Sequence, residues 1–126
     1  MGEENRRLVE RFWATMNTND WGEVGALLHD DYTLEYPQSG ERFRGRATAV
    51  AINAEYPVAG RWMFVVRAIV ADAGGAASDV VFSDGAGEHR LQTFFQMRDG
   101  LIWRMVEYYP EPFDAPASRA HLVNGE

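Results

Sequence analysis

Three side chains in this 126-residue sequence have the chemistry of a donor or a base and stand beside runs that read as strands. Tyr36 precedes Pro37, Asp79 precedes Val80-Val81-Phe82, and Tyr108 lies near the end of Leu101 to Tyr109. A phenol with a pKa of about 10 is a poor base at neutral pH, but it donates well to a carbonyl or an oxyanion. A carboxylate sunk in an apolar cavity has a raised pKa and can serve as a general base. Each residue also has a plain structural reading: Tyr36 as a core tyrosine with a bonded hydroxyl, Tyr108 as an ordinary strand residue, Asp79 as a solvated carboxylate. The direction of Asp79 depends on the loop between Ser83 and His89. An odd-length loop puts it opposite Thr93 in a pocket. An even-length loop puts it outside beside Gln92 and Glu107, and this placement is slightly preferred.

Other chemistry is excluded or unsupported. The sequence has no cysteine, so thiolate nucleophiles and Cys-metal sites are out. All 12 basic residues are arginine, which removes enzymes that need a lysine amine. His29, His89 and His121 are too scattered for a metal motif, and no metal or other cofactor is expected. "GAGEHR" (85 to 90) joins two strands and opens no helix, so it is not a nucleotide loop. A net charge of −7 argues against a nucleic-acid partner. No run is apolar enough for a membrane span, and the acidic start "MGEEN" carries no secretory signal. A cytoplasmic protein is the expectation.

The elements that must position these groups follow from periodicity. Leu8, Val9, Phe12, Trp13 and Met16 make a helical stripe over 3 to 18. Asp20 with Glu23 reads as a capping box opening a second helix that ends near His29. Tyr32, Leu34 and Tyr36 alternate on one face of a strand stopped by Pro37. "EYPQSGERFRG" (35 to 45) reads as a polar loop, bracketed by Gly40 and Gly45, with Gln38, Ser39, Glu41 and Arg42 at a pocket rim. Arg46 to Tyr56 is a third helix closed by Pro57. Four strands follow, at 62 to 71, 77 to 83, 89 to 98 and 101 to 109, and a proline-rich tail ends in a short helix over 118 to 123. Helices segregated from an antiparallel sheet make an α+β fold in one domain, residues 1 to 126.

Asp99-Gly100 is a two-residue hairpin signal, and an unbroken ladder from it sets Arg98 opposite Leu101 and Met97 opposite Ile102. Leu91, Thr93, Phe95, Arg104, Val106 and Tyr108 then share one face. Gln92, Phe94, Gln96, Trp103, Met105 and Glu107 share the other. A one-residue slip would exchange the two sets. Arg104, a charge facing Phe95 on an apolar surface, is the odd member. It reads as a rim arginine lying over Phe95 or as a grip for an anion. Both faces carry large apolar groups, and three helices can cover only one. A homodimer through Phe94, Gln96, Trp103 and Met105 is therefore expected. The tail is too apolar for a free end: Phe113 reads as folding onto the sheet or the partner, or as closing the pocket.

"LVERFWATMNTNDWGEVGALLHDDYTLEYP" (8 to 37), "FRGRATAVA" (43 to 51) and "HRLQTFFQMRDGLIWRMVEYY" (89 to 109) resemble the nuclear transport factor 2-like superfamily, within it the SnoaL-like group. The resemblance implies a cone-shaped roll, with three N-terminal helices on a strongly curved, mostly antiparallel sheet (cystatin-like), usually dimeric. It also implies a deep apolar cavity, whose lining here is Phe12, Trp13, Met16, Tyr32, Trp62, Leu91, Thr93, Phe95 and Val106, with Gln38, His89 and Arg104 towards its mouth. The fold hosts isomerases, cyclases, epoxide hydrolases, dehydratases and plain binding modules. The resemblance to ketosteroid isomerases places their general base at Tyr36 and their two oxyanion donors at Phe12 and Thr93. All three depart from the family's residues, so that mechanism does not transfer. The expectation is a small, mostly apolar ligand, handled by proton transfer, hydration or cyclisation around Tyr36, Tyr108 and Asp79, or bound without reaction.

Overall fold

In a computed structural model, which describes residues 2–56 and 60–123, three helices and a closing 3-10 turn accompany one six-stranded sheet. The helices are α1 (Gly2–Met16), α2 (Trp21–Gly25) and α3 (Arg46–Glu55). The strands are β1 (Leu28–Tyr36), β2 (Glu41–Arg44), β3 (Met63–Asp72), β4 (Gly75–Ser83), β5 (Glu88–Arg98) and β6 (Leu101–Tyr108). Their spatial order is β2-β1-β6-β5-β4-β3, and only the β1–β6 pair is parallel. Register shifts in β1–β6, β3–β4 and β5–β6 mark bulges, which bend and twist the strands. The result is the curved α+β roll read from the element order.

Hydrophobic spacing accounts for the packing. Val9, Phe12, Trp13 and Met16 form the buried stripe of α1 and meet Phe64, Val80, Leu91 and Phe95 from the sheet in one core. Trp13 cannot bury its indole N–H without a partner, and Ser78 Oγ accepts it at 3.1 Å. Asp20 caps α2 as expected, accepting the Glu23 N–H at 3.1 Å.

"MNTND" does more than break a helix. Asn17 donates to Phe64 O at 2.9 Å and accepts from Phe64 N–H at 2.7 Å. Asn19 does the same to Trp62, at 2.9 and 2.8 Å. Each side-chain amide imitates a strand residue and pairs with the backbone at or just before the start of edge strand β3. Further along, Arg6 and Asn5 donate to Ile69 O and Asp72 O. An edge whose polar backbone groups are occupied by its own helix is a poor template for strand addition.

Three expectations need correction. The helix after Asp20 ends at Gly25, and β1 begins at Leu28, ahead of the expected Tyr32. "EYPQSGERFRG" is not a loop: Gly40 N–H returns to Tyr36 O at 2.8 Å, and Glu41–Arg44 pairs antiparallel with Thr33–Tyr36. Pro37 stops the first strand, but the positive φ available to Gly40 (80°) lets the chain turn straight back. The closure of α3 by Pro57 lies outside the described residues.

The largest correction concerns the last hairpin. Asp99 and Gly100 adopt φ values of 57° and 75°, the two-residue turn that matches the right-handed twist of paired strands, and Arg98↔Leu101 and Met97↔Ile102 hold. Trp103 is then extruded as a bulge. Gln96 meets Arg104, Phe95 meets Met105, Phe94 meets Val106 and Thr93 meets Glu107. One extra residue reverses the facing of β6 beyond that point. Arg104, Val106 and Tyr108 turn outward, while Met105 and Glu107 turn inward. The bulged indole is covered on its faces, with the Arg98 and Arg104 guanidinium carbons 3.7 and 4.9 Å from the ring centroid.

The amide clamps give a direct test. Asn17→Ala deletes two hydrogen bonds to Phe64 and Asn19→Ala two to Trp62, and each is expected to lower unfolding free energy by about 1–2 kcal/mol, read from urea denaturation. A change within ~0.3 kcal/mol would mean that water replaces the amides without loss.

Candidate functional site

The inward turn of β6 sets a carboxyl into the core. Glu107 is 6% exposed and is the buried acid among the described residues. Its Oε2 accepts the Thr93 hydroxyl from β5 at 2.9 Å, and its Oε1 accepts the Tyr109 hydroxyl at 3.1 Å. Thr93 is fully buried, so its hydroxyl needs this partner as much as the carboxylate needs the donor. Tyr109 leads onward to Tyr36: the rings meet edge to face with centroids 5.4 Å apart. The hydrogen-bonded line therefore runs Thr93–Glu107–Tyr109, and ring packing carries it on to Tyr36 at the end of β1.

The electrostatics follow from burial. Desolvation raises the Glu107 pKa to about 7, although the hydrogen bonds from Thr93 and Tyr109 pull the other way. Burial, and then the Glu107 charge, push the phenols of Tyr32, Tyr36 and Tyr109 up. They are neutral donors at any physiological pH. Near neutrality Glu107 exists in both protonation states, the condition under which a carboxyl exchanges protons most usefully.

Aromatic rings carry the wall away from this line. Tyr109 stands against Phe82, Phe82 against Trp62, and Trp62 against Tyr56, with centroids 5.8, 5.7 and 5.4 Å apart. Phe43 from β2 meets Tyr36 at 5.2 Å. The Trp62 indole N–H is buried and has no hydrogen-bond partner among the described residues. A buried orphan donor costs about 1–3 kcal/mol. Asn19 holds the backbone of this tryptophan in place, so the site inherits its geometry from the edge clamp.

The residues expected at the site separate by face. Tyr32, Tyr36, Leu91, Thr93 and Phe95 come together on the inner side with Phe12, Trp13 and Met16, which are packed into the core. Trp62 joins them at the β3 end. Gln38 is close but acts on the backbone, its side-chain oxygen accepting the Tyr109 N–H. His89 is half exposed, its ring 5.3 Å from Phe82 and 3.9 Å from Asp84. Tyr108, Arg104 and Val106 are not in the site, because the Trp103 bulge turns them outward. Asp79 is also outside, because a four-residue loop, 84 to 87, pairs it with Gln92. There Gln92 and Arg90 hold its carboxyl below the usual carboxylate range, with bonds of 2.7 and 2.8 Å.

Sequence reasoning missed Glu107, Tyr109 and Phe82. The clue was Arg104. A guanidinium assigned opposite Phe95 on an apolar face is an implausible burial, and shifting the register by one residue removes it. The same shift brings Glu107 opposite Thr93.

The likenesses to known proteins agree with the fold. A family model described as a SnoaL-like domain matches residues 9–105. A proposed ketosteroid isomerase from Kribbella flavida superposes with a TM-score of 0.91 at 36% identity, covering 98% of this chain and 90% of its own. An NTF-2 like protein of unknown function from Burkholderia xenovorans gives 0.81 at 27%, covering 97% and 94%. An LEH-like epoxide hydrolase from M. tuberculosis gives 0.70 at 24%, covering 86% and 84%, which shows the shared fold alone. No curated protein matches the chain.

The buried carboxyl has a signature in stability. The folded state holds the Glu107 proton more tightly than the unfolded chain does. The contribution of the neutral carboxyl is thus complete below about pH 4.5 and is lost as pH rises through about 7. Glu107→Gln is therefore expected to match the parent near pH 4 and to exceed it at pH 8 by up to about 3 kcal/mol, measured by urea denaturation at both pH values. A difference independent of pH would mean that this carboxyl titrates normally.

Proposed function

The chain belongs to the SnoaL-like domain family, and on that premise we propose that it is a cofactor-independent enzyme moving a proton on a small, mostly apolar molecule. Glu107 is the proton store, and Tyr36 is the group that exchanges a proton with the ligand. The observation that carries this reading is the buried Glu107 carboxyl, with a pKa near 7, hydrogen-bonded to Tyr109, whose ring packs on Tyr36. With Glu107 as the carboxylate, Tyr109 passes its proton to Glu107, Tyr36 passes its own to Tyr109, and Tyr36 takes the proton from the carbon next to the ligand carbonyl. The reverse sequence returns a proton to the product and restores the carboxylate. Thr93 holds the carboxyl in place throughout. Trp62 offers its unpartnered N–H to an oxygen on the ligand, between rings that favour a flat apolar body.

An isomerisation through an enol and a cyclisation through an enolate both begin with loss of a proton next to a carbonyl. The description of the Kribbella protein as an isomerase accords with that class. The competing reading is a binding module without chemistry, and it is favoured by how tightly Phe12 and Trp13 fill the core beneath the site. Outside the core, the sheet's outer face offers Phe94 at 53% and Tyr108 at 38% exposure, with Val106 opposite Phe94 in the ladder. A second copy packed on this face is the proposed quaternary state. The expected participants Phe94 and Gln96 are there, whereas Met105 is committed to the core.

Incubating the protein in D2O with a panel of small apolar ketones and enones, and following the carbon-bound protons by NMR, tests the enzymatic reading. Exchange is expected to be catalysed by the parent and reduced at least about 100-fold in Glu107→Gln. A loss of similar size is expected in Tyr36→Phe, which cuts the path between Glu107 and the ligand. Ligands that shift the melting temperature while none exchanges its protons would favour the binding module.

A further inference from the structure

Among the described residues the outer face and the C-terminal segment each lack a partner, and their chemistries match. Arg44 on β2 and Arg104 on β6 are both in register with Thr33 on β1, so they bracket its hydroxyl in one cross-strand row. Gln96 continues that row on β5. Neither arginine makes an ion pair among the described residues, in a chain of net charge −7. With Phe94, Val106 and the ion pair of Arg42 with Glu35 in the adjoining row, they line a groove of about 470 Å³. Three arginines against one carboxylate leave the groove cationic, with Phe94 and Val106 as its apolar part.

Beyond Tyr109 the chain runs as "PEPFDAP" into a 3-10 turn at Ala117–Leu122. Every residue from Pro110 to Val123 is exposed, Phe113 at 79% and Leu122 at 70%. Glu111 and Asp114 flank Phe113 closely enough for an extended segment to present an aromatic ring between two carboxylates. Pro110, Pro112 and Pro116 hold the segment extended in advance, which lowers the entropy lost when it docks.

We propose that this segment is an exchanged strap: Phe113 of each subunit seats against Phe94 and Val106 of its partner, with Glu111 and Asp114 on the partner's Arg44 and Arg104. The inference rests on the proposed dimer through the outer face. A subunit's own tail is badly placed for its own groove. It leaves the end of β6 some four residues beyond Arg104, about 13 Å along the strand, and the prolines oppose a sharp reversal. A two-fold axis lying across the strands brings the partner's tail to the Arg104 end. It also relieves the repulsion that would arise if two arginine-bearing faces met without acidic groups between them.

Equilibrium sedimentation of five forms tests this: the parent chain, a chain ending at Pro110, Arg44→Glu/Arg104→Glu, Glu111→Arg/Asp114→Arg, and the quadruple charge exchange. Circular dichroism checks that each is folded, and none of the changes touches a buried residue. The parent is expected to be a dimer. Its dissociation constant is expected to rise about tenfold or more in the truncated and both singly reversed forms, and to return to within about threefold of the parent in the quadruple form. Parent-like dimers in the truncated and singly reversed forms would overturn the strap and leave the dimer standing. They would indicate either a tail folded onto its own subunit or a tail with no seat. A monomeric parent would overturn the dimer itself, and the strap with it.

Discussion

The structure turns on one buried carboxyl and the two hydroxyls that hold it. An acid in the core is costly unless it is hydrogen-bonded or neutral, and Glu107 is both in part: bonded to Thr93 and Tyr109, and raised to a pKa of about 7. Those partners arrive from different directions, Thr93 from the neighbouring strand and Tyr109 from the segment just past β6. The carboxyl therefore ties the middle of the sheet to the place where Tyr36 ends β1. Any account of what the protein does has to use this group or explain why the fold tolerates it.

The bulge at Trp103 is what makes the arrangement possible. Without it, Glu107 would stand on the solvent side and Arg104 and Tyr108 would face the core. With it, the guanidinium moves outward to lie against the extruded indole, and Met105 fills the space beside Phe95 and Tyr32. The core gains a methionine and a titratable acid for an arginine and a tyrosine. The outer face gains the cation that, with Arg44, gives it its charge. One extra residue in one strand thus defines the interior chemistry and the exterior surface together.

The aromatic wall is positioned by different means. Trp62 lies where the chain approaches the edge strand, far from the hairpin, and its backbone is held by the Asn19 amide. A local motif at the end of α1 thereby sets the place of a ring at the site. The indole N–H at that position has no partner among the described residues, whose other buried side-chain polar atoms are satisfied, and it is the kind of local cost that a binding site retains for its ligand.

Much of the fold was legible in one dimension because it follows from local rules. The α1 stripe, the Asp20 cap, the alternation of Tyr32, Leu34 and Tyr36, and the Asp99-Gly100 turn each depend on residues within a few positions of one another. Their order is enough to imply helices on a curved, mostly antiparallel sheet. The inner placement of Tyr36 and Thr93 was readable for the same reason, since both strands keep their alternation. The facing of β6 was not readable, because a bulge changes register without changing the hydrophobic pattern enough to announce itself: "LIWRMVEYY" has large apolar groups on either phase. Phase was decided only when the chain closed, by which assignment left an arginine buried and which left a carboxylate bonded. The energy of that choice lies in contacts between β5, β6 and the turn beyond, and no local rule contains it.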